Sequence, residues 1–280
     1  MYILQTIING LLLGGYYALI GIGMTLILGI VKLTNLAHGE FVIIGAYMAS
    51  VITTQFGIDP ILSLVISVPL MFLIGFVLQY VLIGNAMKKG PEPALLVTFG
   101  LSIIIMDALR MGFTVNEKSI ATPYSTKSIT IGGISISVLN LVLLAISLIS
   151  ILLLTIFLSR SYVGRAIRAT ADDAQAAALS GVNIKKVYAV AMGVSMASAA
   201  VAGLCVGMKS TFNPTSGGAY LSTAFVVVVI GGMGSIPGTL IAGFIFGLAQ
   251  VIGGASYGQL ISYIMLLAVL VFKPKGILGK

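Results

Sequence analysis

Residues 138–158 read VLNLVLLAISLISILLLTIFL, with no charged side chain among them. A run of this length matches the roughly 20 apolar residues that an α-helix needs to cross a bilayer's hydrocarbon core. It lacks the alternation of polar and apolar residues that marks a barrel strand. Lipid offers no partner for backbone N–H and C=O groups, so a spanning segment must satisfy them internally, and a helix does so within one run. These residues are therefore read as a membrane helix.

Outward from this run, the same pattern recurs near residues 4–30, 39–56, 61–83, 94–113 and 186–208. The stretch 221–251 is also apolar but is interrupted by Gly231-Gly232-Met233-Gly234-Ser235-Ile236-Pro237-Gly238, so it is divided into helices over 221–232 and 237–252. A last span covers 258–272. The fold class is an all-α polytopic bundle of about nine membrane segments with one broken or re-entrant region, read as a single transmembrane domain over 1–280. The apolar stretch beginning at Tyr2 is too long for a signal-peptide core and has no basic residues before it, so it is expected to remain as the first span.

Composition agrees. The chain is 59% hydrophobic and 8% charged, with mean hydropathy +1.15, whereas about a quarter of a soluble domain's residues are charged. Fifteen Lys and Arg against seven Asp and Glu leave a net charge of +8. The basic residues sit mainly in short connections and at the C-terminus, as cytoplasmic loops require. No basic stripe with interleaved aromatics suggests nucleic acid as a partner; lipid is the expected surroundings. Lys88 and Lys89 mark one cytoplasmic loop, Arg160, Arg165, Arg168, Lys185 and Lys186 a second, and Lys273, Lys275 and Lys280 the C-terminus. These agree with alternate crossings only if 221–252 contains two passes, which puts the N-terminus and the loop 114–137 outside. The single cysteine, Cys205, lies in an apolar run and can form no internal disulfide. Gly10 with Gly14, Gly203 with Gly207, and Gly243 with Gly247 stand four apart on helix faces, a spacing that lets helix backbones approach closely.

The connection 159–186 carries the strongest functional signal. Asp172 and Asp173 place negative charge where it favours a helix N-terminus, an alanine-rich run follows, and Gly181 is a natural stop. The expectation is a polar helix of about nine residues whose Ala174, Ala177, Ala178 and Gly181 share a smooth face. Such a face suits docking against another protein; a helix resting on lipid would carry more bulky apolar residues than Leu179 alone.

This segment resembles the cytoplasmic coupling loop of ABC importer permeases, with Asp-Ala-Gln-Ala-Ala-Ala-Leu-Ser-Gly at 173–181 in place of the usual Glu-Ala-Ala…Gly pattern. Three further segments narrow the likeness: Gly23–Gly29 followed by Asn35-Leu36-Ala37-His38-Gly39-Glu40, the Gly231–Gly238 break, and the ending Lys273-Pro274-Lys275-Gly276-Ile277-Leu278-Gly279. In order and along nearly the whole chain they resemble branched-chain amino-acid permeases of the H type, the LivH family. The resemblance implies a multi-pass subunit of the bacterial cytoplasmic membrane. Its expected partners are a second, M-type permease, two cytoplasmic ATPase subunits and an extracytoplasmic substrate-binding protein, and its expected cargo is leucine, isoleucine and valine. Urea or short amides, moved by related permeases, are the alternative cargo. Independently, the chain has no G-x-x-x-x-G-K-[ST] loop, so energy must come from another chain or from an ion gradient.

Within the spans, His38 is the only histidine and stands two residues from Glu40. An ionisable pair in a membrane segment is a functional candidate by default, as pathway, gate or proton relay. The plainer reading has Asn35, His38 and Glu40 satisfying backbone groups where the chain turns. Gly231, Gly232, Gly234 and Pro237 place irregular backbone near membrane depth, which survives only where protein shields it or where it lines a cavity. They are the other candidates for the pathway wall. Asp107 and Arg110 are three apart and expected to pair. One histidine and no nucleophile elbow or paired carboxylates leave little for catalysis, and neither a metal site nor a cofactor is expected. An ion-coupled secondary transporter is the rival reading; with Glu40 and Asp107 as the available carboxylates, it has little coupling chemistry to use.

Overall fold

The computed structural model describes residues 2–131 and 133–279, so Lys280 of the basic C-terminus lies outside the described residues. Eleven helices are described. In order they are α1 (Tyr2–Leu26), α2 (His38–Phe56), α3 (Leu64–Val77), α4 (Gly84–Met87), α5 (Pro91–Phe113), α6 (Val138–Arg160), α7 (Tyr162–Asp172), α8 (Ala174–Leu179), α9 (Ile184–Lys209), α10 (Gly217–Gly231) and α11 (Ile236–Phe272). π-helical turns extend α1 through Ile27–Val31 and join α3 to α4 through Leu78–Ile83.

Seven helical stretches are long and apolar enough to cross a membrane, and Gly217–Gly231 and Ser256–Phe272 are shorter apolar helices. The expected broken region is real: α10 ends at Gly231 and α11 begins at Ile236. The 37 residues of α11 would be about 55 Å long at 1.5 Å per residue, well beyond a hydrocarbon core of about 30 Å. The chain solves this at Gly254, whose φ of 60° and ψ of −162° suit a residue without a Cβ. The two arms fold back on one another there, with Gly253 against Gly258 and Gln250 Nε2 donating to Ser262 Oγ at 3.3 Å.

The core forms around α9, buried almost continuously from Val187 to Met208. The glycine pairs explain how neighbours approach it and each other. On α1, Gly10 and Gly14 abut Leu248 and Phe244 of α11, while Gly243 and Gly247 abut Ala18 and the backbone of Gly10 and Gly14. The pairs thus face each other across the most extensive helix contact of the fold. Gly203 admits the backbone of Val42 and Ala46 on α2, and Gly207 faces Ile120. Among the long helices burial is greatest in α1 and α9 and least in α5, leaving α5, α6 and the second arm of α11 to present Leu96, Ile104, Leu153 and Leu267 outward. Lipid suits such faces.

The two ends of the bundle differ. At one end the α7 helix packs beneath the π turn 27–31, Lys185 Nζ lies 3.8 Å from the Tyr80 ring centroid, and Ile277 N and Leu278 N donate to Ile230 O and Gly231 O. Here the lysines and arginines assigned to the cytoplasm gather. At the opposite end Gln5 exchanges hydrogen bonds with the Ser135 backbone at 2.6 and 2.9 Å, and Lys118 and Phe212 pair their backbones. The loop 114–137 at that end, read from the sequence only as an external loop, contains a two-stranded antiparallel hairpin, β1 (Ser128–Ile131) and β2 (Ile134–Ser137). Its alternating isoleucines about Gly132-Gly133 carried the signal for it.

Candidate functional site

Past the π turn at the basic end the chain leaves α1 at Lys32, turns through 33–37 and begins α2 at His38 beside Ile20 of α1. Asn35, His38 and Glu40 are all buried. Asn35 Oδ1 accepts from Ala37 N at 3.1 Å, and His38 N donates to Asn35 O at 3.2 Å, so these two close the turn. His38 Nε2 stands 3.1 Å from Ile20 O. A carbonyl only accepts, so Nε2 carries the proton and Nδ1 is left without a partner. Glu40 serves no backbone group in the same way. Its carboxyl lies against Gly217, the first residue of α10, where an added Cβ would collide with it, and its Oε2 has no partner. A helix N-terminus favours negative charge at this position.

The second candidate group, Gly231, Gly232, Gly234 and Pro237, lies at the basic end rather than beside Glu40. The close packing accounts for the glycines: Gly234 abuts Gly29, Gly231 abuts Gly238, and Gly232 abuts Gly279 and the Lys275 carbonyl. Pro237 occupies the first turn of α11, where a missing N–H costs nothing. The structure therefore does not bring the two candidate groups together. Asp107 and Arg110 pair at 3.2 Å on the exposed side of α5.

The connection 159–186 differs in detail from its expectation. Arg160 ends α6, and after one residue a separate helix, α7, turns Gly164, Ile167 and Thr170 inward and leaves Arg165 and Arg168 exposed. Asp172 closes α7 rather than opening the next helix. Asp173 leaves helical geometry and caps α8, accepting from Gln175 N at 2.8 Å and Ala176 N at 3.0 Å. The helix α8 then has six residues instead of about nine. Gly181 takes φ +87° past its end, with Val182 N returning to Ala177 O. The anticipated smooth face is split: Ala177 is buried beneath the helix and Ala174 half-buried, whereas Ala178, Leu179 and Gly181 are exposed. Leu179 is 92% exposed.

A membrane bundle with a capped helix projecting from its basic end can be set beside known proteins. A family model described as branched-chain amino acid transport system, permease component, matches residues 6–272. The chain belongs to this family. It is 33% identical to the high-affinity branched-chain amino acid transport system permease protein BraD of Pseudomonas aeruginosa, over 99% of this chain and 96% of that one. It is 33% identical to the corresponding permease protein LivH of Escherichia coli K12, over 100% and 96%. A probable branched-chain amino acid transport permease protein LivH of Methanocaldococcus jannaschii is 25% identical over 93% and 88%. No solved structure matches. The relatives are named as transport permeases, and the seven long apolar helices described above give this chain the build of a multi-pass membrane protein.

One feature of this family member had no signal in the sequence reading. At the end opposite the basic loops, a cavity of about 380 Å³ opens between α1, the end of α9, the start of α10 and both arms of α11. Tyr16, Tyr17, Lys209, Tyr220 and Gln250 are among its lining residues, drawn from positions spread over most of the chain. Among the described residues, no group of three or more His, Cys, Asp or Glu is placed to hold a metal ion.

Proposed function

We propose that this chain is a permease subunit of an ATP-driven importer of branched-chain amino acids in the bacterial cytoplasmic membrane. It would form half of the translocation pathway beside a second permease. Two cytoplasmic ATPase subunits would drive it, and an extracytoplasmic binding protein would deliver the cargo. Family membership supports the permease role, and the cargo is that named for the two 33%-identical relatives.

The observation that carries the coupling step is the bare side of α8. This helix is fixed at its start by Asp173 and at its end by Gly181, rests on α7 and α9 through Ala177, and offers Ala178, Leu179 and Gly181 to solvent at the basic end. A rigid, small-sided element with one protruding leucine fits a groove on an ATPase subunit, and a push on it is transmitted through α7 to the π turn closing α1. Asn35, His38 and Glu40 are proposed to line or gate the pathway near the bundle centre. Gly231, Gly232, Gly234 and Pro237 hold the basic end closed around the C-terminal segment.

Labelled leucine uptake into proteoliposomes containing this chain, its partner subunits and the binding protein tests the reading. Uptake is expected to require ATP on the ATPase side and every partner chain. Uptake by this chain alone on an ion gradient would establish the secondary-transporter alternative, and uptake of urea or a short amide without leucine would change the cargo. Ala178→Glu and Gly181→Trp are expected to leave insertion intact while reducing ATP-driven uptake at least tenfold. Unchanged uptake in both variants would remove α8 from the coupling role.

A further inference from the structure

We propose that the cavity at the end opposite the basic loops is an acceptor site for an amino acid carrying a free carboxylate, with Lys209 as the carboxylate's partner. The choice of cargo rests on the importer reading above, while the recognition chemistry rests on the cavity.

Lys209 ends α9 and is half-buried. Its Nζ donates to Asn140 Oδ1 at 2.8 Å, a neutral acceptor. Among the described residues no acidic side chain lines the cavity, and Asp107–Arg110 is the only ion pair. A half-buried ammonium group whose hydrogen-bond partner is neutral favours an anion from outside the chain. Asn140 takes one of its three protons, leaving others to donate.

The other walls divide by chemistry. Leu13, Val226 and Phe246 provide an apolar side, and Phe246 stacks edge-on to Tyr17 with ring centroids 4.6 Å apart. Tyr220, Gln250 and Gln259 provide neutral oxygens and aromatic surface that suit a ligand ammonium without competing for Lys209. The three requirements together are a carboxylate, an ammonium and an aliphatic side chain. At about 380 Å³ the cavity is near the lower end of the roughly 300–1,000 Å³ typical of ligand pockets, as a single amino acid requires. Its position matters too: it opens at the end where a binding protein would release cargo. Gln250 and Gln259 lie on opposite arms of the Gly254 turn, so a ligand held by both would tie those arms together.

The test is equilibrium binding of labelled leucine to the assembled transporter in nanodiscs of zwitterionic lipid, without binding protein or nucleotide. Leucine is expected to bind, and leucinamide, which has no carboxylate, to compete at least tenfold less well. Lys209→Met should weaken leucine binding at least tenfold, while Lys127→Met, in the loop before the hairpin, should leave it unchanged. Equal competition by leucine and leucinamide would overturn the proposal even if every variant failed to fold, because that comparison uses the wild-type chain. No leucine binding by a complex that still imports leucine would overturn the site and leave the importer reading standing. Loss of a co-purified phospholipid on Lys209→Met, with leucine unable to displace it, would assign the cavity to a lipid phosphate and overturn the amino-acid proposal.

Discussion

His38 and Gly217 show how much of the interior depends on single atoms. The His38 ring is used as a donor to Ile20 O, and Nδ1 faces no partner, so its place in the fold needs an N–H and no titration. His38→Gln, which keeps an N–H donor, is expected to retain uptake within about threefold, whereas His38→Leu should lower stability by about 1 kcal/mol. Complete loss of uptake by a normally folded Gln variant would instead make the ring's proton part of the mechanism. Gly217 is held to a hydrogen side chain by the Glu40 carboxyl. Gly217→Ala should destabilise the chain by about 1–3 kcal/mol through overpacking, and most of that cost should vanish when Glu40→Ala is added. The difference is read as a coupling between the two substitutions in thermal unfolding; additive costs would mean that the collision is not with Glu40. Asn35 and His38 were recognisable as turn-forming polar residues because their partners are local or on the adjacent helix. The Glu40–Gly217 contact joins positions far apart in sequence, and no pattern along the chain announces it.

Element ends were legible where one residue type has one physical use. Gly181 stops α8 by taking a positive φ, and the acidic pair announced an N-cap. Which of Asp172 and Asp173 makes the cap was not legible, because two adjacent acids look alike in sequence and only the extended backbone at Asp173 decides. The amphipathic helix α7 was hidden by the same compositional reading, in which a charged stretch between spans passed for loop. The glycine pairs were legible as close-packing sites but not as partners of one another. Their meeting makes a sharp prediction at this scale. Gly247→Leu would drive its side chain into the backbone of Gly10 and Gly14 and should part α1 from α11, lowering the unfolding midpoint and the yield of folded chain. Gly100→Leu, at a half-buried position of α5 with open space around it, should change neither. Equal effects of the two would mean that leucine's bulk in any span, rather than this contact, is what the fold resists.

For the whole molecule, the hydrophobic runs located the spans to within a few residues and the basic residues sorted the connections. Both signals are set by the bilayer itself, so they survive without knowledge of tertiary contacts. The outer cavity was not legible because its lining comes from four helices that meet only when the bundle is assembled. The arrangement at Gly254 is the step on which the topology turns. If α11 folds back there, Ser256 lies at the same end as the loop residue Thr126, just before the hairpin, and Gln175 lies at the other. In a cysteine-free background, with the buried Cys205 replaced by alanine, Thr126→Cys and Ser256→Cys should react with a membrane-impermeant maleimide in intact cells. Gln175→Cys should react only after permeabilisation. Labelling of all three from one side would break the assignment of ends. Labelling of Ser256→Cys only from within would mean that α11 crosses without turning back, which would move its second arm, and with it Gln259 and Tyr263, away from the cavity they line. The same experiment therefore tests both the path of the chain and the walls of the proposed acceptor site.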